Sequence, residues 1–494
     1  MNLSLKNKKI YLYLGIFALI ELISYFAWQI PVLNLSAFCL IIAGAVILSI
    51  YRLEYGLLLI LAELFIGSMG HLFVYSSGAF SISIRMALWA LVLLIFTFKF
   101  ITQLIKRGKN SPYLKSLMSF YGAKHFLLLA IFVLVGIANA YFRGHSLNLI
   151  FSDVNSWLYW LLILPLAVIY HPDNKRTWQN LIDLFLSAVI WLSLKTLFLL
   201  FVFTHNLSAA PEIYLWLRRS LVGEMTPTAS GWPRVFIQGQ IFSGIALFML
   251  FWMNVKNTAA KIFYKPLPLI LGALFASALL ISFSRSFWVA LVVTSIFSLL
   301  LVWREKNLRQ AFKSALWLSL SFLLGLAIIY LVAVFPFPPT GKFNADFLNR
   351  VTNSNEAALS SRWSLLPVLV KEINKEPFLG QGFGATITYI SSDPRVLQNN
   401  PSGEYTTYAF EWGYLDLLLK IGLLGTLAYL LLIFFIFKNA LVYGHKNAGY
   451  LLLGLSSGLI FLAVTHVFTP YLNHPLGIGI LLLGACLIQK DKVY

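Results

Sequence analysis

Across its 494 residues the sequence holds only two cysteines, Cys39 and Cys486, and only 18 acidic residues against 37 basic ones. Both cysteines lie inside apolar runs, which excludes a disulfide framework and a thiolate metal site. Charged residues make up 11% of the chain, where a soluble domain carries about 25%. With 59% hydrophobic residues and a mean hydropathy of +0.81, the chain reads as a polytopic membrane protein. The basic lead Lys6, Lys8 and Lys9 precedes an apolar run longer than a signal-peptide core, with no small-residue cleavage site, so that run reads as a retained span. The formal charge of +19 is expected to report membrane orientation and lipid contact, with no nucleic-acid partner. No internal repeat or low-complexity tract is evident.

What is present is a succession of apolar stretches near 10–30, 35–51, 55–72, 83–104, 124–142, 154–170, 180–204, 234–255, 266–284, 286–303, 314–335, 411–437, 449–467 and 474–489. They predict an all-α polytopic membrane protein of about fourteen transmembrane helices in a single integral domain over 1–494. The connections 105–123, 171–179, 256–265, 304–313 and 438–448 and the tail QKDKVY all carry Lys or Arg. The positive-inside rule therefore puts them, and both termini, in the cytoplasm. The opposite face then owns the two long connections, 205–233 and 336–410. A loop of about 75 residues is too long for a mere linker, and the run SRWSLLPVLVKEINKEPFLGQGFG predicts order within it.

The stretch LISFSRSFWVALVV, residues 280–293, sets Arg285 in an apolar run, where a charge at mid-bilayer costs at least about 2.5–3.5 kcal/mol. Splitting the run there makes two spans and places Arg285 at the outer mouth. Arg234, in GWPRVFIQGQ, sits at a second outer mouth. Arg362 follows Ser360 and Ser361, either a fitting cap for a short loop helix. Snorkelling accounts for each arginine taken alone. Three on one face suit a lipid-linked diphosphate better, because the guanidinium fork matches phosphate oxygens and helix N-termini favour anions.

The segments 361–385 and 408–425, with the Arg234 and Arg285 contexts, resemble the O-antigen ligase and O-antigen polymerase superfamily of membrane glycosyltransferases. The shared pattern is Arg, Trp, then Pro-x-x-Gly-x-Gly, matched by Arg362, Trp363, Pro377, Gly380 and Gly382, followed by Gly-Leu-Leu-Gly at 422–425. The likeness covers roughly residues 180–440 as a catalytic portion, with 336–410 as its extracytoplasmic loop. It implies a multi-pass protein of the cytoplasmic (inner) membrane. It implies transfer of a glycan from an undecaprenyl-diphosphate carrier to an acceptor hydroxyl on a glycan, lipid or protein, on the outer face, with no cofactor and no metal. In the family's ligases a histidine stands eleven residues before the first glycine of Gly-Leu-Leu-Gly, and counting back from Gly422 gives Glu411 instead. Two readings of Glu411 stay open: the general base for the acceptor hydroxyl, or a helix-start anchor. Ligase and polymerase, which extends lipid-linked repeats, also stay open. Arg234, Arg285 and Arg362 would hold the diphosphate, Arg285 acting catalytically as charge develops, and Trp363 would position the loop or stack on a sugar.

The remaining polar residues invite plainer readings. Asp416 and Lys420 are spaced to neutralise each other on one helical face. Lys195 has no local partner. Arg218 and Arg219 fit an interfacial helix. His466 and His474 lack a metal spacing, and Gly380, Gly382 and Gly384 fit a turn rather than a phosphate loop, since no Lys-Ser or Lys-Thr follows. A transporter or flippase would instead show paired broken helices, internal repeats and ionisable groups near the midplane.

Overall fold

A computed structural model describes residues 8–78, 80–171, 174–227, 232–257, 266–336, 357–446 and 449–488. The basic lead before Lys8, most of the basic loop 256–265, residues 337–356 of the long loop and the basic tail lie outside the described residues. The chain opens with α1 (Lys8–Ala27), α2 (Pro31–Tyr51), α3 (Leu53–Ile66), a hairpin of β1 (Val74–Ser77) and β2 (Phe80–Ser83), and α4 (Ile84–Arg107). It continues through α5 (Pro112–Met118), α6 (Ala123–Phe142), α7 (Leu147–Val154), a 3-10 turn Trp157–Leu162 and α8 (Ile163–Ile169). Next come α9 (Lys175–Thr204), α10 (Ala210–Arg219), the hairpin β3 (Gly223–Pro227) and β4 (Pro233–Ile237), then α11 (Ile241–Asn257), α12 (Pro266–Ile281), α13 (Arg285–Glu305) and α14 (Leu308–Val334). The long loop folds as α15 (Ala357–Ile373), β5 (Ile387–Ile390), α16 (Pro394–Asn399) and β6 (Glu404–Thr407), and α17 (Gly413–Lys446), α18 (Tyr450–Phe468) and α19 (Pro475–Leu487) close the bundle.

The protein is thus an all-α polytopic bundle, with three small hairpins among the described residues. Among the described residues, ten helices are long and apolar enough to cross a membrane, and α7 with Trp157–Ile169 forms a pair bent by 44°, the geometry of a broken span or a re-entrant loop. The expected apolar stretches are helical for most of their length, but 234–255 opens as the strand β4, which carries Arg234, and becomes α-helix only at Ile241, while α3, α12 and α19 have only 14, 16 and 13 residues, short for a full crossing. The apolar run at 280–293 does divide, with α12 ending at Ile281 and α13 beginning at Arg285.

Small residues set the bundle's centre. A Cβ on Gly454 would lie 2.7 Å from the Met249 Cα, and one on Gly458 would lie 2.9 Å from the Ile245 side chain, so α18 and α11 meet at backbone distance. Buried hydroxyls bind the same layer, Trp252 Nε1 donating to Ser457 Oγ at 2.8 Å and Ser457 meeting Ser298 at 2.9 Å.

The connections at the Arg285 end are tied together. Ser24 Oγ donates to the Leu72 carbonyl, Trp216 Nε1 to Ser24 Oγ, and Tyr471 OH to the Gln238 carbonyl. Buried ion pairs gather toward this end too. Lys195, without a neighbour in sequence, meets Glu21 at 2.6 Å across α9 and α1, and Arg85 meets Glu63 at 2.6 Å across α4 and α3. In a lipid-facing protein such charges persist only when paired away from the hydrocarbon.

Candidate functional site

The long loop rests on its own small core. Leu365, Leu369 and Ile373 on one face of α15 pack with Ala385, Ile387, Phe410 and the α17 residue Leu419. This seats α15 beside the start of α17 and brings Arg362 against Glu411, which lie 49 positions apart. Arg362 Nε donates to Glu411 Oε2, and the two side chains are 36% and 53% exposed, so the pair is open to approach from solvent. Trp412 Nε1 donates to the Arg362 carbonyl at 3.1 Å. Trp363 meets Trp412 edge-on at 5.5 Å with its own ring largely exposed, a position compatible with either role expected for it.

Arg234 and Arg285 form a second neighbourhood at the same end. The turn between α12 and α13 is closed by Ser284 N–H donating to Ser282 Oγ, and Arg234 Nε donates to the Ser282 carbonyl at 2.9 Å. The Arg234 guanidinium also lies 5.0 Å over the Phe236 ring, and Arg285, partly buried, opens α13 three residues after Ser282. Aromatic side chains flank each neighbourhood: Trp412 approaches Phe468 at 6.0 Å, the end of α18, and Phe287 approaches Tyr471 at 6.0 Å just beyond that helix end. Structure therefore joins Arg362 directly to Glu411, and Arg234 to the turn that carries Arg285.

The glycine-rich segment does more than close the loop helix. α17 is broken at Gly422, whose φ of 64° and ψ of −175° suit only glycine. The 377–384 backbone fills that break. Gln381 N–H donates to the Leu419 carbonyl and Gly382 N–H to that of Lys420, while Leu423 and Leu424 N–H donate back to Pro377 and Phe378. Gly380, Gly382 and Gly384 all have positive φ, and a Cβ on Gly380 would lie 2.5 Å from Gly422 N. The Pro-x-x-Gly-x-Gly and Gly-Leu-Leu-Gly motifs are two halves of one backbone joint. A break of this kind also occurs in transporters, but here loop backbone occupies it.

Charge reinforces the joint. The expected Asp416–Lys420 pair forms at 2.6 Å, and sequence reasoning missed its third member: Asp153 of α7 also meets Lys420 at 2.6 Å. Asp153 accepts from Gly384 N–H at 2.8 Å, and Asp416 accepts from Asn473 Nδ2 at 2.6 Å. Lys420 thus ties the loop, α7, α17 and the 469–474 turn into one buried network. At the other end of α15, Lys375 and Gln381 hydrogen-bond Glu372; the Lys375 ammonium is the main cause that holds its carboxyl below the usual glutamate range.

His466 and His474 are helix-end acceptors, taking the Leu472 and Leu476 N–H groups. Among the described residues no group of three or more His, Cys, Asp or Glu side chains is placed to hold a metal ion. Arg218 and Arg219 end the short α10, pairing with Glu224 and lying over Trp28.

Between α15 and the β5–β6 hairpin lies a cavity of about 630 Å³, with Arg362 and Glu411 in its lining. Residues 270–430, which hold Arg285 and this loop assembly, match the family described as O-antigen ligase. Over that stretch the chain is similar to the O-antigen ligase family. A curated relative, the ComP-specific O-oligosaccharyltransferase of Acinetobacter baylyi, is 24% identical over 319 residues, which are 63% of this chain and 52% of the relative. The chain therefore spans about half the length of that relative. The O-antigen ligase match takes in Arg285, Arg362, Trp363, Glu411 and the backbone joint, whereas Arg234 lies upstream of it.

Proposed function

We propose that this O-antigen ligase-like transferase moves a glycan from an undecaprenyl-diphosphate carrier to an acceptor hydroxyl at the Arg285 end of the bundle. That end faces outward from the cytoplasmic membrane, with both termini inside. The acceptor oxygen attacks the anomeric carbon as the bond from that carbon to the diphosphate oxygen breaks. The leaving electron pair stays on the diphosphate and the hydroxyl proton passes to Glu411. Arg234, Arg285 and Arg362 stabilise the growing negative charge. Inversion at the anomeric carbon follows from the family resemblance.

The observation that carries this reading is the solvent-accessible Arg362–Glu411 pair at the edge of a cavity large enough for sugar residues. Arg362 engages Glu411 through its Nε edge, which orients the carboxylate. The polypeptide break that a transporter would use to line a route is filled by 377–384, which favours a fixed site over a moving gate.

Two tests separate the rivals. Cells lacking the protein should accumulate unextended carrier-linked glycan on the outer face; accumulation on the inner face would mean a flippase. With purified protein, a single shifted acceptor means ligase and a ladder of carrier-linked products means polymerase.

A further inference from the structure

The backbone joint is paired more completely than a water-exposed loop requires. Every N–H from Gly380 to Gly384 has an acceptor: the Glu376, Leu419, Lys420 and Gly136 carbonyls in turn, then Asp153. The Pro377 and Phe378 carbonyls accept from Leu423 and Leu424 N–H, those of Leu379 and Gly380 from Asn139 Nδ2, and that of Phe383 from His145 Nδ1–H at 2.9 Å. Water satisfies such groups unaided, whereas irregular backbone at membrane depth persists only when its polar groups are met from within the protein.

The side chains of the same segment are arranged for lipid. Phe378 is 63% exposed and Leu379 41%, although the backbone that carries them is fixed on two sides. The residues bonded to Pro377 and Phe378, Leu423 and Leu424 of α17, are exposed as well, and at the same level Tyr141 and Phe142 close α6 with exposed rings. α6 and α17 are both long and apolar enough to cross a membrane, so this face continues the outer surface of two spans. α7 exposes Leu147 and Phe151, one turn apart, and buries Ile150 and Val154, the pattern of a helix lying in an interface. Charge begins at once on the loop side: Arg143 pairs with Glu376 at 2.8 Å, and Lys375 pairs with Glu372 at 2.8 Å. An apolar and aromatic band beneath an ion-paired rim is the profile of a surface set at headgroup level.

We propose that the joint is a lipid seat: Phe378 and Leu379 rest in hydrocarbon just beneath the headgroups at the Arg285 end of the bundle, and the bilayer thereby fixes the depth of α15, Arg362 and Glu411. The occupant is bilayer lipid, because the face runs on into two spanning helices. The seat itself is independent of the transferase reading; its effect on transfer rests on that reading. A site held at headgroup depth meets a lipid-borne diphosphate without drawing its carrier out of the bilayer.

The test uses full-length protein in phosphatidylcholine nanodiscs, with the exposed cysteine removed by Cys39→Ser and buried Cys486 kept. A nitroxide is placed at Phe378→Cys, at Leu431→Cys as the lipid-facing reference on α17 and at Lys371→Cys as the water-facing reference on α15. Power saturation then reads collisions with oxygen, which concentrates in lipid, and with a water-soluble nickel chelate. Position 378 should favour oxygen, as 431 does, while 371 favours nickel. When Phe378→Asp is introduced, a label at Leu379→Cys should shift toward nickel, and transfer should fall at least about tenfold as Arg362 and Glu411 lose their depth. Nickel access at 378 equal to that at 371, access to neither reagent, spin–spin broadening from a second copy, or full transfer by Phe378→Asp overturns the inference. A lipid signature at 378 in a protein that transfers nothing keeps the seat and refutes the transferase reading instead.

Discussion

Substituting Gly422 by alanine tests whether the two sequence motifs form one joint. The φ of 64° with ψ of −175° costs an alanine about 1–3 kcal/mol. A Cβ there would also press on the Phe378 carbonyl and lie 2.5 Å from Gly380 N, and both are backbone atoms that no side-chain rotation can clear. The loop must then withdraw, giving up the backbone bonds from Gln381, Gly382, Leu423 and Leu424, each worth about 1 kcal/mol net. Together the loss is about 5–7 kcal/mol, comparable with the whole stability of many domains. The expected outcome is release of α15 from the bundle rather than unfolding of the spans. Limited proteolysis should cut near residues 374–384 much faster, and transfer should fall at least about a hundredfold because Arg362 and Glu411 lose their alignment. Gly15→Ala is the control: its Cβ meets nothing within 4 Å, and alanine in a helix gains a few tenths to about 1 kcal/mol. Protection and activity of Gly422→Ala equal to those of Gly15→Ala would refute the joint.

Further outcomes follow from the same geometry. Lys420→Met leaves Asp153 and Asp416 buried without their shared cation and should destabilise by about 3–5 kcal/mol in thermal inactivation, with partial recovery when Asp153→Asn is added. Lys195→Met should be comparably damaging, and less so combined with Glu21→Gln, since the pair is buried on both sides. Glu372 has a depressed folded pKa, so its support for the loop is fully present above the ordinary glutamate pKa of about 4.3 and is lost as pH falls through the lower folded value. Proteolytic protection of α15 should weaken on acidification below pH ~4, and Glu372→Gln should flatten that dependence.

Hydropathy located the long spanning helices, because a span must satisfy its backbone internally and so leaves a long apolar record in the sequence, but it did not reveal that 234–237 is strand or that α3, α12 and α19 are short. The division at Arg285 was legible for the same reason, a charge being costly anywhere but a helix end or a paired site. The Asp416–Lys420 pair was legible because its partners are one helical turn apart. Their third partner was not: Asp153 is 267 positions from Lys420, and nothing local distinguishes it from a loop carboxylate. Glu21 and Lys195 were hidden in the same way, 174 positions apart. The two glycine motifs could each be seen, but their union could not, since it is made by backbone N–H and carbonyl groups that every residue possesses. The cavity beside Glu411 depends on how α15 and the β5–β6 hairpin stack, and that is set by tertiary packing over Leu365, Leu369 and Phe410.

The proposed glycosyl transfer rests on Arg362 and Glu411, with Arg285. Its most direct test is a single-turnover assay of purified protein loaded with undecaprenyl-diphosphate oligosaccharide and an acceptor, comparing wild type with Glu411→Gln and Arg285→Ala. Glu411→Gln should lose about 10²–10⁴-fold in the chemical step with carrier binding retained, and Arg285→Ala should lose turnover as the leaving diphosphate goes unstabilised. Transfer at the wild-type rate in both variants would contradict it.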